Sequence, residues 1–326
     1  MSVTATSGSY TFNTEVTAKL REYLRTDPIE QTRKGNRFLD SLTRDKEMIH
    51  DANEVQFPVS FIEDSKGDFY DNWDPTGTGD SDDVTMAKDS MKSHAEPIKL
   101  SRRVRNRSSG RAIFKILAHK MKQAMIRSEN KWAASFMSAA TGGPNSLEVL
   151  LPNDGGNSST ALHGIRGDQN AGWQCNFQNI GGALSSNLDK LDDLSEDCKK
   201  YGLTDWDTIV TTKAILNDFK AYARTLSSIE QNATAPAGSR LAALGWTGVT
   251  WEGKPVIADR HCPTGKLFMY STNSVVMAVD PMDDWVLEGP FPTQVNGQHG
   301  DQWFIYSTAQ LVTLDRGSNG VAFGIS

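Results

Sequence analysis

One stretch constrains the fold more than any other. Ile113, Phe114, Leu117, Met121, Ala124, Met125, Trp132, Phe136 and Met137 recur mainly at three- and four-residue steps, the spacing of one helix face. Ser108-Ser109 can cap its start and Thr141-Gly142-Gly143-Pro144 ends it. About 30 residues at about 1.5 Å each make a rod of roughly 45 Å, far longer than the ordinary globular helix of about 11–12 residues. Its charge is lopsided. From Lys99 to Lys131 eleven basic residues, Arg102, Arg103, Arg105 and Arg107 among them, face Glu129 alone, a net +10.

The segments before the rod have little to bury. Residues 1–50 open on a Ser/Thr-rich lead and continue as two charged stretches expected to be helical, around Thr17–Arg25 and Glu30–His50. The apolar stripe of the second, with Phe38, Leu42 and Ile49, is too thin for a self-sufficient helix pair and must lie on something else. Residues 54–62 alternate as a strand, and Pro58 restricts it to an edge or a two-stranded ribbon. A second extended run, His94–Val104, carries Pro97. Between them, Glu63, Asp64, Asp68, Asp71, Asp74, Asp80, Asp82 and Asp83 face Lys66 alone, a net −7. The pattern predicts a long hairpin with an acidic, glycine-bearing tip. A lone ribbon is marginal in water and needs a partner surface.

After the rod, residues 144–180 are Gly/Asn-rich and predict a long irregular connection. An α/β stretch follows: a helix near Leu184–Tyr201, a strand Thr208–Thr212 and a helix Lys213–Leu226. Val249–Trp251, Lys254–Ala258, Leu267–Tyr270 and Val275–Val279 read as short strands between Gly and Pro turns. Trp285–Leu287, Trp303–Leu314 and Val321–Phe323 form a β-rich tail with a turn at Gly317–Gly320.

Chemistry-bearing motifs are absent. The chain has no GxxxxGK[ST], HExxH, GxSxG or strand-following GxGxxG. Thr76-Gly77-Thr78-Gly79 reads as a hairpin tip. The six histidines never fall three to five apart, so no pair shares a helix turn for metal. His261 and Cys262 are adjacent and point to opposite faces, which precludes a base–nucleophile pair. Asp80-Ser81-Asp82-Asp83 lacks the glycine and final glutamate of a calcium loop. Asp189, Asp192 and Asp193 read as a solvated helix face. Three scattered cysteines give neither a disulfide framework nor a zinc site. No catalytic residue, cofactor or metal is therefore expected. With 326 residues and a net charge of −6, the chain can bury a substantial core in one large or two medium domains and is not basic along its whole length. No run of about 18 apolar residues exists to span a bilayer, and the amino terminus lacks the pattern of an export signal. Three readings of the +10 segment stand open: a solvated face, pairing with the acidic tip of a neighbouring copy, and contact with packaged nucleic acid.

A charged arm, a ribbon, one long helix, a small α/β domain and a return of long strands resemble the major capsid proteins of tailed bacteriophages, the Hong Kong 97-type α+β fold. The resemblance is carried by Gly245-Trp246-Thr247-Gly248 through Trp251-Glu252-Gly253-Lys254-Pro255-Val256-Ile257-Ala258-Asp259, by Cys262-Pro263-Thr264-Gly265 leading into Leu267–Tyr270, and by the closing run Gln310–Gly320. It implies an N-arm over 1–50, an E-loop over 51–104, a peripheral domain with the spine helix over 105–146 and 285–326, and an axial domain over 147–284. It implies too that the thin stripes are covered by other subunits, with Asp68, Asp71, Asp74, Asp80, Asp82, Asp83, Arg102, Arg103, Arg105 and Arg107 as candidate intersubunit contacts.

The function so implied is structural: self-assembly into hexamers and pentamers of an icosahedral head around double-stranded DNA. Synthesis in the host cytoplasm, a separate scaffolding protein (the lead being too short for an attached one), a portal protein and no membrane partner go with it. An encapsulin-type compartment shell is the alternative on the same fold, and a soluble hydrolase the alternative from another class.

Overall fold

The computed structural model describes residues 36–47, 49–51, 53–60, 84–102, 104, 110–225, 249–293 and 300–326. The helix expected at Thr17–Arg25, the acidic tip, the Ser108-Ser109 cap and Gly245–Gly248 lie outside them. In chain order the first elements are α1 (Arg37–Ser41), β1 (Thr43–Asp45), β2 (Ile49–Asp51), β3 (Glu54–Ser60), β4 (Val84–Ser90), β5 (Lys92–Ser101) and the long helix α2 (Gly110–Met137). Then come α3 (Leu147–Leu150), β6 (Ala161–Leu162), β7 (Ile165–Arg166), β8 (Asn176–Gly182), α4 (Leu188–Tyr201), β9 (Thr208–Thr211) and α5 (Lys213–Thr225). The chain closes with β10 (Val249–Trp251), β11 (Lys254–Ala258), β12 (Leu267–Tyr270), β13 (Val275–Val279), β14 (Val286–Thr293), β15 (Gly300–Thr313) and β16 (Gly320–Ile325).

Two sheets carry the molecule. In the five-stranded one, β15 is central. β5 pairs with it from Gly300↔Ser101 to Ala309↔Lys92, while β13 and β14 pair with it at Val275↔Thr313 and Val286↔Tyr306, and β1 adds in parallel beside β13. Helix α2 lies on one face of this sheet. Ile113, Leu117, Met121, Ala124 and Met125 pack on Ile98, Leu100, Leu287, Trp303 and Ile305, and the Trp132 indole N–H donates to Ser307 Oγ at 2.8 Å. The helix stops at Met137, five residues before the Gly-Gly-Pro signal, and Ala139-Ala140 run on without helical form.

The six-stranded sheet has the order β10-β11-β9-β12-β16-β8. Leu191, Leu194, Ile215 and Phe219 of α4 and α5 cover one face. The other face, with Val210, Ile257, Phe268, Tyr270 and Val321, meets Phe38, Leu42, Trp132 and Phe136. Burial on both faces explains why β12 and β13 are continuous apolar runs rather than alternating ones.

Four expectations are corrected. The stretch 30–50 is not one helix over its described part. A single turn, Arg37–Ser41, gives way to β1 because Thr43–Asp45 finds a ladder on β13. The second arm of the hairpin is Val84–Ser90, registered from Glu54↔Ser90 to Ser60↔Val84, whereas the run containing Pro97 belongs to the large sheet. Residues 144–180 end in a strand, since Asn176–Gly182 adds in parallel to β16. Finally, the described arm root and ribbon find burial within their own chain. Phe38, Leu39 and Leu42 are core residues, and Val55, Phe57, Val59 and Ala87 pack on Val276, Ala278 and Val312. Pro58 does fall where the ribbon is two-stranded, beyond the β2 pairs at Glu54 and Val55.

The irregular segment between α3 and β8 is organised by Arg316. Its buried guanidinium donates to the carbonyls of Leu150 at 2.8 Å and Trp173 at 3.1 Å, and only a glycine fits at 156, where a Cβ would come within 2.3 Å of the guanidinium. The arm root is fixed as firmly: Asp259 accepts the Phe38 N–H at 3.1 Å, and Phe38 meets the Tyr270 ring edge-on at 5.6 Å. Replacing Phe38 by Ala is expected to destabilise the subunit by about 3–5 kcal/mol, read as a lower urea midpoint with unchanged slope. A midpoint equal to wild type would show that α1 does not belong to the core.

Candidate intersubunit surfaces

The ribbon is fixed to the body where β5 parts from β15. Beyond Ala309 the edge of β15 that β5 leaves has no strand beside it among the described residues, and side chains take over its backbone groups. Buried His163 accepts the Thr313 N–H on Nε2 at 3.3 Å, and the Asn145 amide donates to the Leu311 carbonyl at 3.5 Å. With Nε2 an acceptor, Nδ1 carries the proton and donates to Asp89 Oδ2 of β4 at 2.9 Å. Lys88 N–H donates to the His163 carbonyl, and Gln310 bridges from the Asn145 N–H to the Ser90 carbonyl. The β6–β7 turn holds His163 at φ 53° so that ring and carbonyl both face the ribbon. Burial alone would raise the Asp89 carboxyl pKa. The hydrogen bonds from His163, the Asn145 amide and the Ser90 N–H outweigh it, and the net shift is downward.

The outer face of the ribbon is polar at its base, where Glu54 and Gln56 pair with Ser90 and Lys88, and carries an apolar patch farther out. Pro58 stands opposite Met86, next to Val84, with Val84 59% and Met86 51% exposed. Beside it runs a second apolar surface. Val312, under the ribbon, shares the outward side of β15 with Tyr306 and Phe304, because alternate strand residues share a face. Tyr306 stands between Ala95 and Val286, Phe304 between Pro97 and Glu288, and Gln302 between Lys99 and Phe291. Phe291, Phe304 and Tyr306 touch in series, with centroids 6.0 and 5.8 Å apart, and Phe291 is 44% exposed. Among the described residues no element covers this aromatic stripe.

The third surface is the solvent side of α2, where Lys120, Lys122, Arg127 and Lys131 are exposed while Glu129, the one acid of the helix, is buried. Arg127 pairs with Glu96 at 2.7 Å. Of the residues expected to make intersubunit contacts, Arg102 is exposed just past β5. Arg103, Arg105, Arg107 and Asp68, Asp71, Asp74, Asp80, Asp82 and Asp83 lie outside the described residues. The aromatic stripe and the His163 knot escaped sequence reasoning. The stripe had a signal: Trp303 to Tyr306 are all large and apolar, so both faces of that strand want cover.

Among the described residues no group of His, Cys, Asp and Glu could hold a metal ion. Burial pushes the thiols of Cys175 to about 11 and of Cys198 and Cys262 to about 12, so they stay protonated and unreactive at neutral pH. No described helix is long and apolar enough to cross a membrane.

No protein-family model matches the chain, and no curated protein matches it. Solved structures do. The capsid asymmetric unit of cyanophage A-1(L) aligns with a TM-score of 0.65 and 14% identity over 90% of this chain and 93% of its own. The chain has the Hong Kong 97-type fold. The SrpI encapsulin of Synechococcus elongatus aligns with a TM-score of 0.56 and 11% identity over 89% and 88%. The capsid of an empty GTA particle gives 0.53 and 13% over 90% and 90%.

Asp89 gives these contacts a pH dependence. Its folded pKa lies below the unfolded one, so its contribution is present at neutral pH and is lost as pH falls through the folded value. Between about pH 5 and about pH 2, amide exchange at Lys88 and Thr313 should rise ahead of exchange in β12. In Asp89→Asn that early rise should be absent. A wild-type ribbon exchanging in step with β12 would contradict it.

Proposed function

We propose that this chain is the major capsid protein of a tailed bacteriophage, assembling as hexamers and pentamers into an icosahedral head around double-stranded DNA. The observation that carries the reading is the aromatic stripe Phe291–Phe304–Tyr306, with Phe291 exposed and the other two rings half-buried, together with the exposed patch Pro58, Met86 and Val84 on the ribbon. An exposed apolar surface of this kind marks an association site, and the fold is one whose solved examples include a cyanophage capsid. Residues 1–50 then act as N-arm, 51–104 as E-loop, 105–146 with 285–326 as peripheral domain and 147–284 as axial domain. The protein is a structural component of the virion rather than an enzyme. It is made in the host cytoplasm with a separate scaffolding protein, and its shell meets a portal protein at one vertex.

Register between copies is set in this reading by charge. The −7 tip, with Asp68, Asp71, Asp74, Asp80, Asp82 and Asp83, meets Arg102, Arg103, Arg105 and Arg107 of a neighbour. The encapsulin match favours a second reading, a compartment shell around protein cargo.

Light scattering after size exclusion on the expressed chain, alone and with a co-expressed scaffold, tests the assembly. Shell-sized particles are expected, and a small oligomer under every condition would contradict the proposal. Arg102→Glu, Arg103→Glu and Arg105→Glu together should leave subunits folded by circular dichroism yet abolish shells. Normal shells from that variant would remove the electrostatic part.

A further inference from the structure

The helix stripe does not end with the helix. Asn36, at the root of the arm, donates to Glu129 at 3.2 Å and to Asn130 at 3.1 Å, which places exposed Arg37 beside the last turns of α2. From the other side Arg260 donates to Asn36 Oδ1 at 3.1 Å and bonds Asn130. Three segments far apart in sequence therefore bring cations to both flanks of α2 as one basic ridge: Lys120, Lys131 and Arg127, itself paired with Glu96, along the side of β5, and Lys122 on the opposite flank, with Arg37 and Arg260 gathered at Asn130. A helix of 28 residues extends about 42 Å, and its exposed cations span more than a third of that length. The acid of this helix is withdrawn from the surface, because Glu129 is 3% exposed and spent on Asn36.

We infer that this ridge is a phosphate-contacting surface for duplex nucleic acid, bound without base readout, and that it faces the inside of the shell. The inference rests on the shell reading above. A protein partner is the weaker fit. Protein interfaces are depleted in lysine and built around apolar or aromatic anchors, whereas three of the ridge's six cations are lysines and its exposed apolar residue is Ile126 alone among the described residues of the helix. Spaced cations on a straight rod suit a polyanion that needs no fixed register. The orientation follows from the layers. Helix α2 covers one face of the five-stranded sheet and the aromatic stripe lies on the other, so a shell with α2 inward keeps the stripe away from nucleic acid and available to sister subunits.

The test is titration of purified full-length subunits with a short fluorescein-labelled duplex at several salt concentrations, next to electron microscopy of assembled particles. Lys120→Gln, Lys122→Gln and Lys131→Gln together should assemble normally, weaken duplex binding at least about tenfold at low salt and reduce the log–log salt slope by about 2.7. Lys122→Glu with Lys131→Glu, which leaves the bond from Lys120 to the Lys99 carbonyl intact, should weaken binding in the same direction. The control pair Lys213→Gln and Lys220→Gln on exposed positions of α5 should change neither. Ridge variants binding with wild-type affinity and slope would overturn the inference. So would folded ridge variants that no longer assemble, since the ridge would then seat a protein. Wild-type subunits that never form shells would remove the shell reading, while the titration would still decide whether the ridge binds duplex.

Discussion

The molecule is organised around β15, a strand of fourteen residues laddered on both sides over most of its length. That pairing places β5, β13 and β14, and strand periodicity then divides its side chains into two layers. Trp303, Ile305 and Ser307 turn toward α2, while Phe304 and Tyr306 turn away from it. Where β5 leaves, the exposed ladder must be satisfied in some other way, because a buried backbone N–H without a partner is costly. His163 and Asn145 do this for Thr313 and Leu311, and the same two side chains hold Asp89 of the ribbon. The strand that builds the sheet therefore also fixes where the ribbon starts.

The secondary structure was legible where local pattern decides it. The spacing of apolar residues marked α2, and Val249–Trp251, Lys254–Ala258, Leu267–Tyr270 and Val275–Val279 stand as strands because β-branched and aromatic runs are bounded by Gly and Pro. Partner choice was not legible. Val84–Ser90 is the ribbon's second arm although VTMAKDS is largely polar, since register with Phe57 and Val55 decides it. Lys92–Ser101 pairs with a strand some 200 positions away, and no local rule anticipates a contact of that range. Arg316 reads as an ordinary surface arginine in sequence, and its role depends on two carbonyls brought to it by folding.

For the surfaces proposed to meet other copies, the sequence pointed to charge and the structure adds apolar area. The arm root and the inner face of the ribbon, which looked too thin to be stable alone, are satisfied by their own body. What the described chain leaves bare is the patch of Pro58, Met86 and Val84 on the outer side of the ribbon, and the aromatic stripe. Burying exposed aromatic rings contributes far more than a screened surface ion pair. Association would then draw its free energy from the stripe, with the acidic tip and Arg102–Arg107 choosing the register.

Hydroxyl-radical footprinting of assembled particles against dissociated subunits measures that burial at single residues. The account predicts that labelling of Phe291, Phe304, Tyr306 and Met86 falls several-fold on assembly while Tyr270, buried already, stays unlabelled in both. Equal labelling of the four in particle and subunit would mean that sister copies meet elsewhere and would contradict it.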